Sequence, residues 1–272
     1  MISKREATLN YLILGFFAVI ALFPLLGVLS SALTDPANSS ASLTLPDSPH
    51  FANFLTAWNQ GHFGTYMRSS AIVTVSVVVL ASILAILAGY AFATMRFRGQ
   101  SVLFYLLLLG LMVPSEALII PLYYDLRDIG LTDTYWSLIF PQIAQSLAFA
   151  TFWMRNFFRG IPTSLIEAAQ LDGATRWGVL WRILVPISKP ALLTMSMLIF
   201  MWTWNEFLMP LVMITAEDLK TAPLGLAFFQ GQHTSQFSLL AAGATIVAAP
   251  VVVVYLFLQR HFIAGMLSGA VK

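Results

Sequence analysis

Residues 167–186 read EAAQLDGATRWGVLWRILVP, and this polar stretch decides how the chain folds. It lies between two long apolar runs, at residues 136–154 and 191–214. A polar segment between two membrane-crossing runs cannot lie in the lipid, where its polar groups would lack partners. We therefore expect residues 155–190 to form one loop that presents a helical docking surface to another protein.

The composition places the chain in a membrane. Of its 272 residues, 58% are hydrophobic and 10% charged, and the mean hydropathy of +0.81 excludes an ordinary soluble protein. A membrane crossing needs roughly 20 apolar residues, and barrel strands would instead have about ten with alternating polarity. Six runs meet or approach the helical requirement, at residues 9–33, 69–94, 102–122, 136–154, 191–214 and 239–258. The sequence predicts an all-α, polytopic membrane protein with a single transmembrane domain over residues 1–272.

The basic residues orient these six spans. With the N-terminus inside, the internal segments hold 11 of the 14 Lys and Arg residues, and only Arg68, Arg127 and Lys220 lie outside. Basic residues accumulate on the cytoplasmic side of membrane proteins, so both termini are predicted to be cytoplasmic. The first run is longer than the apolar core of about 7 to 15 residues in a signal peptide, which favours an uncleaved first span.

Several chemistries are excluded by what the sequence lacks. Without cysteine there are no disulfides, thiol catalysis or cysteine-ligated metals. Without a G-x-x-x-x-G-K-[ST] loop, the chain does not bind ATP itself. His233 has no second histidine or carboxylate at metal-ligand spacing, and a net charge of +2 does not indicate nucleic acid. We expect no catalytic residue, no metal and no cofactor in this chain.

The first half of the loop is predicted to be a short helix. Pro162 suits a first helical turn, and Ser164 followed by Glu167 forms a capping-box pattern. The helix should run to about Leu171, where Gly173 can adopt the left-handed conformation that ends a helix and turns the chain.

The second half is predicted to be an amphipathic helix. Its apolar side chains recur at i, i+3, i+4 and i+7, as Trp177, Leu180, Trp181 and Leu184. Two tryptophans favour a position at the membrane interface. Pro186 and Pro190 should end this helix before the fifth span.

Glu167 has two interpretations. It can satisfy a backbone N–H and the helix dipole, or it can contact a partner protein. The small side chains of Ala168 and Ala169 would let the surface of another protein approach the helix closely. The turn at Asp172 and Gly173 would set the shape of the loop. With these neighbours, docking is the better interpretation.

The loop resembles the cytoplasmic coupling loop of ABC importer permeases. The shared pattern is Glu-Ala-Ala, a glycine six residues after the glutamate, and then Ile183 and Pro186 at fixed distances. Val185 departs from the leucine usual in that family, a mild apolar change. The resemblance implies that Glu167, Ala168, Ala169, Asp172 and Gly173 couple the chain to an ATPase.

The resemblance extends over residues 95–272 and is greatest to maltose-type sugar permeases. It rests on PSEALIIPL at 114–122, residues 133–136, WNEF at 204–207, GLAFFQG at 225–231, and QR followed by SGAVK near the C-terminus. It implies a multi-pass protein of the prokaryotic inner membrane. The implied partners are a second homologous permease forming a heterodimer, an ATPase dimer that binds ATP and Mg, an extracytoplasmic solute-binding protein and a sugar-like solute.

Glu116 and Glu206 are the only carboxylates in the predicted spans. Counted from the inner ends at about 1.5 Å per residue, they lie about 21 and 22 Å across. Charges in lipid mark functional sites, although both could instead reach the outer interface or pair with a partner helix. Asn205, Glu206, Trp202 and Trp204 together suit a sugar, because polar groups satisfy hydroxyls and aromatic faces cover the ring. By resemblance, the partner permease makes most sugar contacts, so these residues could serve only as a gate.

Other predictions concern loops and the transport class. Pro114 and Pro121 should kink the third span. Gln230, Gly231 and Gln232 resemble part of a loop that reaches into the solute-binding protein, although composition alone gives a surface loop. An ion-driven secondary transporter using Glu116 and Glu206 is the alternative, and it leaves the coupling loop unexplained. A third class, a membrane-embedded enzyme, is not supported, because the sequence shows no Ser-His, paired-carboxylate or His-rich set of residues. The sequence does not distinguish whether the solute is an oligosaccharide, a monosaccharide or a glycerol phosphate derivative.

Overall fold

A computed structural model describes residues 4–36, 48–230 and 236–270, with side chains described up to residue 259. Within these ranges the chain is helical and contains no β-strand, which confirms the all-α prediction. The α-helices are α1 (Lys4–Ala32), α2 (Ala52–Gln60), α3 (Phe63–Thr94), α4 (Gln100–Leu109), α5 (Ser115–Asp128), α6 (Trp136–Arg159), α7 (Thr163–Leu171), α8 (Arg176–Gly178), α9 (Val185–Ile187), α10 (Lys189–Trp204), α11 (Leu208–Met213), α12 (Ala222–Gly225) and α13 (Phe237–Ala270).

Three helices are long and apolar enough to cross a membrane, namely α1, α3 and α13. Two further pairs of helices are apolar enough together but sharply bent. Gln100–Met112 and Ser115–Asp128 meet at 100°, and Arg176–Ile187 and Lys189–Trp204 meet at 77°. The described part of the chain therefore has three to five spans by length and composition. The predicted fourth span coincides with α6, which is not in that count, so six spans remain a prediction.

The chain divides into two compact units. The first comprises Met1–Gly64 and Leu224–Pro250. Within it, nearly all apolar side chains of α1 are exposed, which suits a helix surrounded by lipid. The buried Asn53 on α2 donates from Nδ2 to the carbonyl oxygens of Ala32 at 2.9 Å and Thr34 at 2.8 Å. These two bonds fix α2 against the end of α1.

The second unit comprises Thr65–Pro223 and Val251–Lys272. Its core packs α3 against α6 and α10, with Ala81, Ala85, Leu138, Met154 and Met195 fully or almost fully buried. Polar bonds accompany this packing, because Trp153 Nε1 donates to Ala191 O at 3.0 Å and the hydroxyls of Ser82 and Ser196 lie 3.1 Å apart. This unit carries the coupling loop and the predicted solute pathway.

The third and fifth predicted spans are not continuous helices. The third is broken rather than kinked, because Val113 before Pro114 takes an extended conformation, as residues before proline do. The fifth ends as α10 at Trp204, and a new helix begins at Leu208. Pro210, in the first turn of α11, has no N–H for a hydrogen bond to the preceding turn, which prevents one continuous helix.

Candidate functional site

The coupling helix α7 begins directly after Pro162. The predicted capping box is wrong, because no side chain caps this end and Ser164 already lies inside the first turn. A capping side chain must stand before the first helical residue, and here that position belongs to a proline. Glu167 is therefore not engaged in a capping box.

The other end of α7 is closed as predicted. Gly173 has φ of +84°, in the left-handed region. The N–H of Gly173 donates to Gln170 O at 3.0 Å, and the N–H of Ala174 donates to Ala169 O at 2.9 Å. This pair of bonds is a Schellman motif, which satisfies the last carbonyls of the helix and turns the chain.

Ala168, Leu171 and Asp172 are exposed on the outward side of α7, and Leu171 keeps 89% of its surface, whereas Glu167 is exposed at the edge of that side. Ala169 differs from the prediction, because it is half-buried and packs against the core of the second unit. Its small size brings α7 close to the membrane helices, whereas Ala168 faces outward.

The second half of the loop is helical, but its apolar stripe is divided. Residues 179–184 form a π-helical turn, in which Leu180 and Leu184 are buried. Trp177 and Trp181 are exposed and stack at a centroid distance of 6.4 Å and an interplanar angle of 3°. The wider π-helical turn separates positions that an α-helix would place on one face, so the predicted stripe is wrong. At the start of this segment, Thr175 Oγ1 accepts from the N–H of Gly178 at 3.2 Å, a cap that we did not predict.

A polar cavity of about 210 Å³ lies beside the break in the fifth predicted span. It is lined by Ser115, Gln142, Gln145, Ser146, Trp202, Thr203 and Glu206. The structure thus brings the predicted Trp202 and Glu206 together with three polar residues of α6. Gln142, Gln145 and Ser146 were missed, although their i, i+3, i+4 spacing in an apolar run is a signal that sequence analysis could have used.

Glu206 helps to form the break itself. Its Oε1 accepts a hydrogen bond from the N–H of Met209 at 3.0 Å, in the first turn of α11. Asn205 is exposed, and its Nδ2 donates to Met201 O at 2.7 Å at the end of α10. The two residues therefore cap the two helix ends that meet here, which satisfies backbone groups that a broken span exposes.

The other predicted pathway residues do not line this cavity. Trp204 is buried and stacks on Phe200 at 5.6 Å. Glu116 is exposed in the first turn of α5, next to the cavity residue Ser115. Trp202, by contrast, does line the cavity; it is half exposed and meets Phe149 edge to face at 4.9 Å. Of the predicted set, Trp202 and Glu206 are the pair that this geometry brings to one place.

Asp133 ties the connection before α6 to the segment after α11. Its Oδ1 accepts from the N–H groups of Thr215 and Ala216, both at 2.9 Å, and its Oδ2 accepts from Thr215 Oγ1 at 2.9 Å. The backbone bonds from Ala216 and Thr215, with the Thr215 hydroxyl, hold the pKa of Asp133 below its usual value. This latch was not predicted, although Asp133 belonged to the stretch that resembled the family.

The segment after α11 is also fixed to the start of α3. Tyr66 donates its hydroxyl to Glu217 Oε2 at 2.5 Å, and Lys220 pairs with the same carboxylate. Ser69 Oγ donates to Asp218 O at 3.1 Å. Further along, Gln230 is exposed, whereas the predicted binding-protein residues Gly231 and Gln232 lie outside the described residues.

Comparisons with known proteins agree with this architecture. The family described as "Binding-protein-dependent transport system inner membrane component" matches residues 81–268. The chain is 32% identical to the arabinooligosaccharides transport system permease protein AraQ of Halalkalibacterium halodurans, over 100% of both chains. It is 34% identical to the trehalose transport system permease protein SugB of Mycobacterium tuberculosis, over 98% of this chain and 96% of SugB.

A solved structure matches the fold as well. A chain from the crystal structure of a bacterial ABC transporter involved in the import of the acidic polysaccharide alginate gives a TM-score of 0.80 at 25% identity, covering 96% of this chain and 99% of that one. The resemblance read from the coupling loop is thereby confirmed, and the protein is a multi-pass membrane protein. With a family match over most of its length and relatives matching nearly end to end, this chain belongs to the inner membrane components of binding-protein-dependent transport systems.

Proposed function

We propose that this chain is the permease subunit of an ABC importer that carries a sugar or sugar-like solute into the cytoplasm by alternating access. The observation that carries the proposal is the polar cavity at the broken fifth span. Amide and hydroxyl groups of Gln142, Gln145 and Ser146 can satisfy sugar hydroxyls, while Trp202 offers a flat apolar face. Transporters place substrates at such discontinuous helices, where irregular backbone lines a cavity.

The names of relatives support a carbohydrate. AraQ is named for arabinooligosaccharides, SugB for trehalose, and the structural neighbour for alginate. These solutes differ in size and charge, so they favour the class rather than one member. In our proposal the cavity residues contact the solute. Glu206 caps the start of α11 and so stabilises the broken helix beside the cavity.

The energy would come from a separate ATPase dimer. The exposed face of α7 is the proposed docking surface, and its closed end at Gly173 sets the shape of the loop. A second homologous permease would complete the pore as a heterodimer. An extracytoplasmic binding protein would deliver the solute at residues 215–237, and both termini would be cytoplasmic. A solved methionine ABC transporter shares the fold, with a TM-score of 0.51.

An ion-driven carrier is the alternative, and the geometry weighs against it. Glu206 already accepts a hydrogen bond from Met209, and Glu116 is exposed outside the cavity. Neither carboxylate is arranged with the other around a common ion. The alternative and the proposal differ in their energy source, which uptake measurements separate.

The test of the proposed pathway is uptake by the reconstituted complex with a panel of sugars. Gln142→Leu or Gln145→Leu should weaken transport by about 2- to 12-fold, the effect of losing one neutral hydrogen bond of about 0.5 to 1.5 kcal/mol. Gln259→Leu is the matched control, because that glutamine is half-buried on α13 and does not line the cavity. Equal uptake of every sugar by all three variants, at equal expression, would remove the cavity from the pathway.

A further inference from the structure

A second and larger cavity lies under the coupling helix, with a volume of about 640 Å³. Its walls come from the end of α3, the α3–α4 turn, the last two turns of α6 and the inner side of α7. The proposed solute pathway does not include it, and Glu167 is the one predicted coupling residue in its lining. It is also the place where α7 meets the membrane helices, so a ligand bound there would touch all of these elements.

The cavity is lined by three arginines, Arg96, Arg155 and Arg159, and by one carboxylate, Glu167. Three positive charges and one negative charge leave a net charge of +2 in its wall. In the described part of the chain, no carboxylate lies within 4 Å of any of these arginines. Arg155 and Arg159 also stand one turn apart on α6, a spacing at which like charges repel. An anion between them would relieve that repulsion.

The floor of the cavity is aromatic and orients one arginine. The guanidinium carbon of Arg155 lies 3.9 Å from the ring centroid of Phe104, and its Nε donates to Phe92 O at 3.4 Å. Phe104 and Phe158 are buried, whereas Arg96 and Arg159 are exposed. The site therefore has an apolar base and a cationic rim, which is the polarity of a lipid headgroup region.

We propose that this cavity binds the phosphate group of an anionic phospholipid from the inner leaflet. Arginine guanidinium groups match phosphate oxygens in bidentate geometry, and basic pockets between membrane helices on the cytoplasmic side bind such headgroups. The bound phosphate bridges Arg96, in the α3–α4 turn, and the two arginines of α6, and it lies beside α7. Coupling between α7 and the spans then depends on lipid charge. The inference rests on the orientation in the proposed function but not on the solute.

The test uses the full reconstituted complex in nanodiscs and measures retained lipid by native mass spectrometry. One set contains phosphatidylcholine alone, a second adds phosphatidylglycerol, and a third adds inorganic phosphate to phosphatidylcholine. Each arginine near an anionic membrane surface contributes about five-fold in affinity. The double variant Arg155→Gln with Arg159→Gln should therefore bind phosphatidylglycerol about 25-fold more weakly. Arg98→Gln removes an exposed arginine next to the cavity but outside its lining, so it should weaken binding by about five-fold at most.

Each outcome decides the inference. Selective retention of phosphatidylglycerol, lost in the double variant alone, supports it, and solute-stimulated ATP hydrolysis should then fall in phosphatidylcholine alone. Binding of inorganic phosphate without selective retention of phosphatidylglycerol would show that the cavity binds phosphate, but it would overturn the lipid as the source of that phosphate. Equal retention in all variants, or ATPase binding lost in the double variant without any lipid effect, would overturn the site. Normal uptake with no retained lipid would refute this inference and leave the proposed function intact.

Discussion

Substitution of Gly173 tests whether the shape of the coupling loop matters. The glycine has φ of +84°, and a Cβ added there would meet no heavy atom within 4 Å. The penalty is therefore conformational rather than steric. An L-residue in the left-handed region costs about 1 to 2 kcal/mol, asparagine tolerates it better, and a β-branched residue is a genuine outlier costing up to about 3 kcal/mol.

These costs predict an ordered series. At about 1.4 kcal/mol per factor of ten, the closed turn is depopulated by about 10-fold for Gly173→Ala and by about 100-fold for Gly173→Val, with Gly173→Asn the mildest. ATPase recruitment and solute-stimulated hydrolysis in proteoliposomes should fall in this order. The two permeases should still pair, because the spans lie elsewhere.

Gly178→Ala is the matched control within the same loop. Gly178 has a helical φ of −61°, and an added Cβ would meet its nearest atom at an ordinary 3.5 Å. That variant should behave as the wild type does. Wild-type recruitment, hydrolysis and uptake by Gly173→Val would refute the docking role of the loop.

Three further predictions concern the latch, the break and the topology. Asp133 has a lowered pKa, so it stabilises the fold above its unfolded pKa of about 3.9, and this contribution is lost as pH falls through the lower folded value. Thermal unfolding of Asp133→Asn should therefore show a lower melting temperature than the wild type at neutral pH and a smaller difference in acid; equal melting at neutral pH would contradict the latch. Glu206→Gln should change uptake rate or solute preference while assembly persists, and unchanged uptake of every solute would leave it only a helix cap. Single cysteines at positions 98 and 170 should label only from inside and at position 230 from outside, and the opposite pattern would overturn the orientation.

Local sequence rules predicted the end of α7 but not its beginning. Gly173 was predictable because the left-handed conformation is a property of one residue and its neighbours. The capping box at Ser164 failed because the helix starts two residues earlier than the pattern assumes, with Pro162 rather than Ser164 at the N-cap position. Pro162 stands at the N-cap position, and the four-residue motif from Ser164 to Glu167 does not include it.

The broken spans show what hydropathy cannot resolve. Residues 191–214 are apolar whether they form one helix or two, so averaging hid the break that Asn205, Glu206 and Pro210 produce. The same averaging hid Gln142, Gln145 and Ser146, whose importance appears only when α6 packs beside that break. The π-helical turn at residues 179–184 was likewise invisible, because it buries Leu180 and Leu184 through tertiary packing rather than local preference.

In the proposed function, ATP hydrolysis by a docked partner drives a sugar through this chain. The most direct measurement is uptake of a labelled sugar into proteoliposomes containing both permeases, the ATPase dimer and the binding protein. We expect uptake that needs ATP on the cytoplasmic side and persists when ionophores collapse all ion gradients. Uptake without ATP that disappears with the ionophores would contradict it and establish an ion-driven carrier.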